Sequence, residues 1–325
     1  MPSLIEELAA KLAWELNSWR SIEIRSHQEF ASDNPNPGPR EFQSSKNEYV
    51  YIETALGQRF FERDIVPSNI KGSLNREYSD GKLAAGFYRD KDFDAERDQV
   101  TIKHVFSNEE IGQTSRPEPF CYLYVGLEPL NNALKEAQHL GPGRHIGREC
   151  EKFLFVNVSN GSTPLDIIYW LDRETAIPLK VEYFRHAKTG PDGKPHALWA
   201  AKSLDIVQGH PIALKSASVS YVLTGPDEGK SATRNEIVVD RVEYDKEYPA
   251  STFWPQLTPE ISVIDRVRST NYFPPVKGGD QAKAQAGVPI RAEVPTSGLF
   301  SASGIMMMAG ALVLTVILVR TRRGT

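Results

Sequence analysis

The chain is short of thiols, of surplus positive charge and of any catalytic signature. Its 325 residues include two cysteines, Cys121 and Cys150, too few for a disulfide scaffold or a four-thiolate metal site. They could close one bridge around a loop of about 30 residues, worth roughly 3 to 4 kcal/mol on entropic grounds, or stand as two unconnected thiols. A formal net charge of −4 and a pI near 6.0 provide no basic field to hold a phosphate backbone. Nucleic-acid binding is therefore not expected. The seven histidines are scattered, and none forms the i, i+4 pair of a helical zinc site. No Gly-x-Ser-x-Gly nucleophile elbow occurs. Gly225 to Ser231 superficially looks like a phosphate loop but has three residues between its glycines where four are needed. With no nucleophile, metal or acid/base constellation, no cofactor is expected and the chain is not expected to be an enzyme.

Long apolar runs are also missing, with one exception. Residues 301–319 carry no charge, enough to cross a hydrocarbon core of about 30 Å as a helix. Arg320, Arg322 and Arg323 follow at once, and positive charge favours the cytoplasmic side. The expectation is a single-pass cell-membrane protein: an extracytoplasmic domain over residues 1–268, a flexible linker over 269–298 rich in Pro, Gly and Ala, a transmembrane helix over 299–319, and a basic cytoplasmic tail over 320–325. The other terminus sits awkwardly with export. Its first 20 residues bear acids and an amphipathic stripe (Leu4, Leu8, Leu12, Leu16, Trp19) rather than a basic region and an apolar core. This spacing predicts a docking helix, with export relying on an upstream start or another route; a tail-anchored cytoplasmic protein is the alternative.

Between these ends the pattern is one of strands. NEYVYIET and QRFFERDI flank a short link, REYSDGKLAAGFYRD reads as a hairpin turning at Asp80-Gly81, and a helix is expected from Leu127 to Leu140, closed by Gly141-Pro142-Gly143. Six further strands follow. Leu179, Val181 and Tyr183 alternate with Lys180 and Glu182, a strand with one wet face, whereas LDIIYWL is apolar on both sides. Roughly a dozen strands and two helices without a βαβ rhythm indicate a mainly antiparallel β protein.

The order of elements resembles the LolA/LolB-like lipoprotein-carrier superfamily, which includes the periplasmic domain of RseB-type regulators. Tyr78-Ser79-Asp80-Gly81-Lys82 is similar to its Ser-Asp-Gly-Lys hairpin, and Trp170-Leu171-Asp172 with Ile177-Pro178-Leu179-Lys180 to its Trp-Leu-Asp, Leu-Pro hairpin. The resemblance implies a curved antiparallel half-barrel of about 11–12 strands closed by helices, with an apolar inner surface that receives acyl chains or an apolar peptide. The candidates to line such a cavity are Phe153, Phe155, Ile167, Tyr169, Leu171, Leu179, Val181 and Tyr183; each could equally be plain core. The expected ligand is an acyl chain or lipoprotein lipid, bound at about 0.8 kcal/mol per buried methylene. The alternative is an RseB-like envelope-sensing module that binds a partner protein. An anchored protein cannot shuttle between membranes, so a fixed acceptor or sensor fits better than a ferry.

Overall fold

The structure is a computed structural model that describes residues 3–32, 44–67, 73–90, 99–104, 116–126, 128–158, 164–185, 193–222, 228–259 and 261–272. The expected linker and transmembrane segment lie outside the described residues apart from the first few linker positions. Among the described residues no helix is long and apolar enough to cross a membrane.

Helix α1 (Leu4–Asn17) starts where the sequence supplies a capping box, the Ser3 and Glu6 side chains each bonding the other's backbone N–H. Its apolar stripe buries Leu8 and Leu12 completely, while Leu4 and Leu16 pack at the margin of the same cluster. It does dock on the protein, as its periodicity predicts.

Six strands follow as a meander: β1 (Ser21–Ser32), β2 (Ser44–Thr54), β3 (Arg59–Pro67), β4 (Ser73–Ser79), β5 (Leu83–Asp90) and β6 (Gln99–His104). A 3-10 turn at Phe120–Leu123 leads into a two-stranded ribbon, β7 (Tyr124–Val125) with β8 (Glu128–Pro129), and the single-turn helix α2 (Leu130–Ala133). A second meander comprises β9 (Gln138–His145), β10 (Arg148–Val158), β11 (Leu165–Asp172), β12 (Pro178–Arg185), β13 (Ala197–Val207), β14 (His210–Tyr221) and β15 (Ser231–Tyr244); the short β16 (Ser262–Asp265) and β17 (Thr270–Tyr272) come last. Strand β15 pairs with β1, joining both meanders into one 15-stranded sheet with β17 and β9 at its edges. The sheet is antiparallel except where β16 runs parallel to β6, and it is not closed into a barrel.

The strand number exceeds the expected 11–12, and one reason is instructive. The helix expected over Leu127–Leu140 shrinks to Leu130–Ala133 with a 3-10 extension to Glu136, and the Gly-Pro-Gly expected to close it lies inside β9. Because β9 is an edge strand, the missing N–H of Pro142 leaves no outer partner wanting. Gly141 adopts φ +92°, and Gly143 makes room for the Trp170 ring of β11. A methyl group at Gly143 would stand 2.6 Å from Trp170 Cζ3. The ring cannot easily swing away, since its Nε1 donates to Glu182 at 2.7 Å and the Lys180 ammonium lies 4.4 Å from its centroid. Gly143→Ala should therefore cost about 1 to 3 kcal/mol by overpacking, measured by urea unfolding; a change below a few tenths would mean that the ring gives way freely.

Both hairpins that carry the superfamily resemblance exist, and both motifs act as turn chemistry. In the first, the turn centres one residue later than expected, on Gly81-Lys82. Gly81 alone takes positive φ (+93°), and Asp80 Oδ1 accepts the Lys82 and Leu83 N–H groups at 2.8 Å each. In the second, Asp172 accepts from the Thr175 backbone N–H and hydroxyl and receives Arg148 bidentately at 2.7 and 2.9 Å.

Contacts made by the segment Arg116–Tyr124 reveal the curvature. Arg116 bonds Glu53 on β2 and lies 3.9 Å from the Tyr124 ring centroid, while the Tyr124 carbonyl accepts the Tyr169 hydroxyl of β11 at 2.7 Å. Strands β2 and β11 are six places apart in the sheet, about 29 Å if it were flat. Side chains rise off a sheet and have little lateral reach, so these contacts require it to curl around the segment.

Candidate functional site

The eight lining candidates form one grid on the concave face. Across β10 and β11, Phe153 faces Tyr169 and Phe155 faces Ile167; across β11 and β12, Tyr169 faces Val181 and Ile167 faces Tyr183. Leu171 and Leu179 extend the same face at the hairpin end. All but Tyr183, which is partly buried, are buried in the main apolar cluster, and Phe153, Leu171, Leu179 and Val181 have no exposed surface. The opposite face of these strands carries its own small cluster of Leu154, Ile168 and Phe184, which is why β11 reads apolar on both sides.

The grid is filled by the chain's own side chains. Leu8 and Leu12 of α1, Tyr122 and Leu123 of the 3-10 turn, Val125 of the ribbon, Leu130 of α2 and Leu134 join the same cluster. None of these covering elements belongs to the large sheet. They are held by side-chain packing and a few polar latches: the Tyr169–Tyr124 bond, Lys11 to the Arg173 carbonyl at 3.2 Å, and Glu15 of α1 against His210 of β14 at 3.2 Å. The His210 ring is stacked between Trp14 and Tyr244, with centroids 5.4 and 4.0 Å away. Burial raises the Glu15 carboxyl pKa, and His210 opposes it.

The rest of the concave face is mixed: Ile22, Ile24, Ile212 and Val239 form a second apolar cluster with Tyr49, Tyr51 and Phe61, and buried polar groups stand among them, which the lining candidates did not anticipate. Asn47, Tyr49, Tyr51 and Glu53 of β2 share a face, and Arg59 and Phe61 of β3 stand beside them; all six are buried. Glu53 receives Arg116 at 2.8 and 3.1 Å, Arg59 at 2.9 Å, and the Tyr51 hydroxyl. Burial works to raise its carboxyl, but Arg116, Arg59 and Tyr51 outweigh it and hold the pKa down at about 2. The sequence signal was available: Glu53 keeps the period-two phase of Tyr49 and Tyr51, placing a carboxylate on an inward face.

Glu118 is the opposite case. It is 5% exposed, and neither carboxylate oxygen has a hydrogen-bond partner. Burial pushes its carboxyl up to about 8, opposed only by the nearby Tyr122 hydroxyl. It lines a half-open cleft with Ser26, Gln28, Tyr49, Pro117 and Ile237, about 240 Å³ counted out to the solvent mouth.

The disulfide considered for Cys121 and Cys150 is not formed; both are free thiols. Burial pushes Cys150 up to about 11 and raises Cys121 well above the ordinary thiol range, so neither carries much thiolate at neutral pH. Among the described residues no group of three or more His, Cys, Asp or Glu side chains is placed to hold a metal ion.

No protein-family model and no curated protein matches the sequence. Solved structures similar to the chain include a domain described as an outer membrane lipoprotein-sorting protein from Vibrio parahaemolyticus, 12% identical with TM-score 0.47, covering 76% of this chain and 95% of that one. A LolA superfamily protein from Nitrosomonas europaea is 8% identical with TM-score 0.45, covering 78% of this chain and 99% of that one. The MucA/MucB complex of Pseudomonas aeruginosa gives 10% identity and TM-score 0.23 over 75% of this chain and all of the matched one. At these identities and scores the likenesses bring no ligand, partner or activity to this chain.

Proposed function

We propose that this chain is a LolA-like extracytoplasmic binding module that takes an acyl chain or lipoprotein lipid between its concave sheet and the layer covering it. The observation that carries this reading is the nature of that layer. Leu8, Leu12, Leu130 and Leu134 fill the apolar grid, yet they sit on elements joined to the sheet by packing and isolated polar bonds rather than by a strand ladder. Lifting the cover leaves the sheet's own hydrogen bonds intact. An acyl chain would then replace those leucines at about 0.8 kcal/mol per methylene buried, offsetting the packing that the displaced leucines give up. The function assigned is binding, without catalysis.

In this reading residues 299–319 anchor the module to the membrane, with the domain extracytoplasmic and residues 320–325 cytoplasmic. A tether of about 25 residues reaches roughly 25 to 30 Å as a random coil, which suits a fixed acceptor or sensor of envelope lipid. The test is gentle detergent extraction of the full chain followed by mass spectrometry. Acyl species retained near one per chain are expected. No retained acyl species, together with a stable protein partner, would overturn lipid binding in favour of an RseB-like regulatory module. Cytoplasmic accessibility of a tag on the large domain would overturn the topology.

A further inference from the structure

Among the described residues five large apolar side chains stand exposed: Trp14, Leu56, Ile146, Val156 and Ile206. A single exposed apolar residue is ordinary, but four of these five share one end of the molecule. Strand alternation puts the β2–β3, β9–β10 and β13–β14 turns at the end where β1 begins, and those turns carry Leu56, Ile146 and Ile206. Trp14 joins them because α1 crosses the same end. Lys11 bonds the carbonyl of Arg173 in the β11–β12 turn, and the Trp14 ring stacks on His210 at the start of β14. Val156 alone lies towards the other end, late in β10.

Hydrogen bonds hold these turns in fixed relation. The Ala55 N–H donates to the Arg20 carbonyl at 2.8 Å and the Arg20 N–H to Asp245 Oδ1 at 2.7 Å. The adjoining Tyr244 N–H donates to Gln208 Oε1 at 2.9 Å, which ties the Leu56 turn to the Ile206 turn. His145 Nε2 donates to the Ala201 carbonyl at 2.9 Å, so the Ile146 turn is tied to β13 as well. Charges between the apolar tips are paired: Arg20 with Asp245, Arg144 with Glu149, and Arg148 with Asp172 and Glu174.

We propose that this end docks on the headgroup layer of a phospholipid bilayer, with Trp14, Leu56, Ile146 and Ile206 dipping into it. The inference rests on the anchored reading above, since the chain beyond Tyr272 leads to the charge-free residues 301–319 and the tether keeps a bilayer within roughly 25 to 30 Å. Ion pairs separate the tips, so they offer no continuous patch to a rigid protein face. A fluid headgroup layer admits side chains one at a time, and tryptophan favours that depth. Paired charges supply no net pull towards anionic lipid, so docking on neutral phosphatidylcholine, nearly independent of salt, is expected. A lipid leaving that bilayer would meet the sheet at the end that α1 covers.

The experiment places the full chain in phosphatidylcholine vesicles with a nitroxide on Leu56→Cys, on Ile206→Cys or, at the control end, on Val156→Cys. The unaltered chain labelled in parallel gives the background from Cys121 and Cys150. Collision with a water-soluble nickel chelate on both sides of the bilayer, compared with collision with oxygen, reads depth. The expected result is several-fold less collision with nickel at 56 and 206 than at 156, at low and high salt alike. A chain that floats with the vesicles but is equally wet at all three positions overturns the docking and leaves the anchor standing; a chain that does not float overturns both. Protection that fades as the chain is diluted in excess lipid would give this end to a second copy and also overturn the proposal. Tryptophan quenching by phosphatidylcholine brominated high on its acyl chains, weakened in Trp14→Phe, supplies the same reading without cysteine variants, and no quenching overturns the docking. None of these readings needs an acyl chain in the grid, so failure of docking and failure of lipid binding are seen separately.

Discussion

Glu53→Gln is expected to lower the free energy of unfolding by about 3 to 5 kcal/mol at pH 7, because it removes the one anion that two buried guanidinium groups share. The linkage has a definite sign. The Glu53 carboxyl pKa is held at about 2 in the folded chain against an ordinary 4.5, so the folded state binds its proton less tightly than the unfolded state. The stabilisation, about 3 kcal/mol by this route, is complete above about pH 5 and disappears as the pH falls from 4.5 towards 2. Urea unfolding of both proteins at pH 7 and pH 3 checks this: the gap should be wide at pH 7 and narrower in acid. A gap below about 1 kcal/mol at pH 7, or one indifferent to pH, would mean that Arg116 and Arg59 find water or other acceptors when Glu53 is neutral.

Glu118→Gln is expected to act in the other direction. Its carboxyl pKa is about 8 in the folded chain, above the ordinary 4.5, so the folded state grips the proton more tightly. Stability tied to this group is full below about pH 4.5 and is lost as the pH rises through 8. A glutamine does not titrate. The variant should match the parent near pH 4 and exceed it by about 3 kcal/mol at pH 7, rising to about 5 kcal/mol above pH 8. Unfolding at pH 4, 7 and 8.5 is the measurement. A constant difference across that range would show that another group already compensates the charge. Glu53 stands on the inner face of β2 among cations, whereas Glu118 belongs to the segment the sheet curls around and has tyrosines beside it.

Much of the scaffold was legible because its signals are local. The Ser3 and Glu6 pair and the leucine stripe identify α1, the alternation of Leu179, Val181 and Tyr183 identifies β12, and Asp80-Gly81 marks a real turn, displaced by one residue. Errors came where tertiary position overrides local preference. Gly-Pro-Gly normally stops a helix, yet at a sheet edge a proline needs no donor and a glycine can admit Trp170. Pairing of β1 with β15, separated by some 200 residues of chain, has no local signature. The lining candidates do share one face, but alternation cannot tell a wall facing empty space from one facing Leu8 and Leu12. The buried polar groups were readable in part. Glu53 falls in phase with two tyrosines, whereas Glu118 lies in a stretch of prolines whose burial only the curled sheet brings about.

The arrangement at the sheet's far edge has a mechanical consequence. Tyr272 ends β17, which is matched to β16 over three residue pairs, and β16 is matched to β6 over four. The seam between β1 and β15 runs to eleven. Any pull transmitted along the backbone from the C-terminal side enters through these two strands, the shortest in the large sheet. They would detach first and re-form when the load is released, acting as a fuse that spares the long seam and the packed grid behind it.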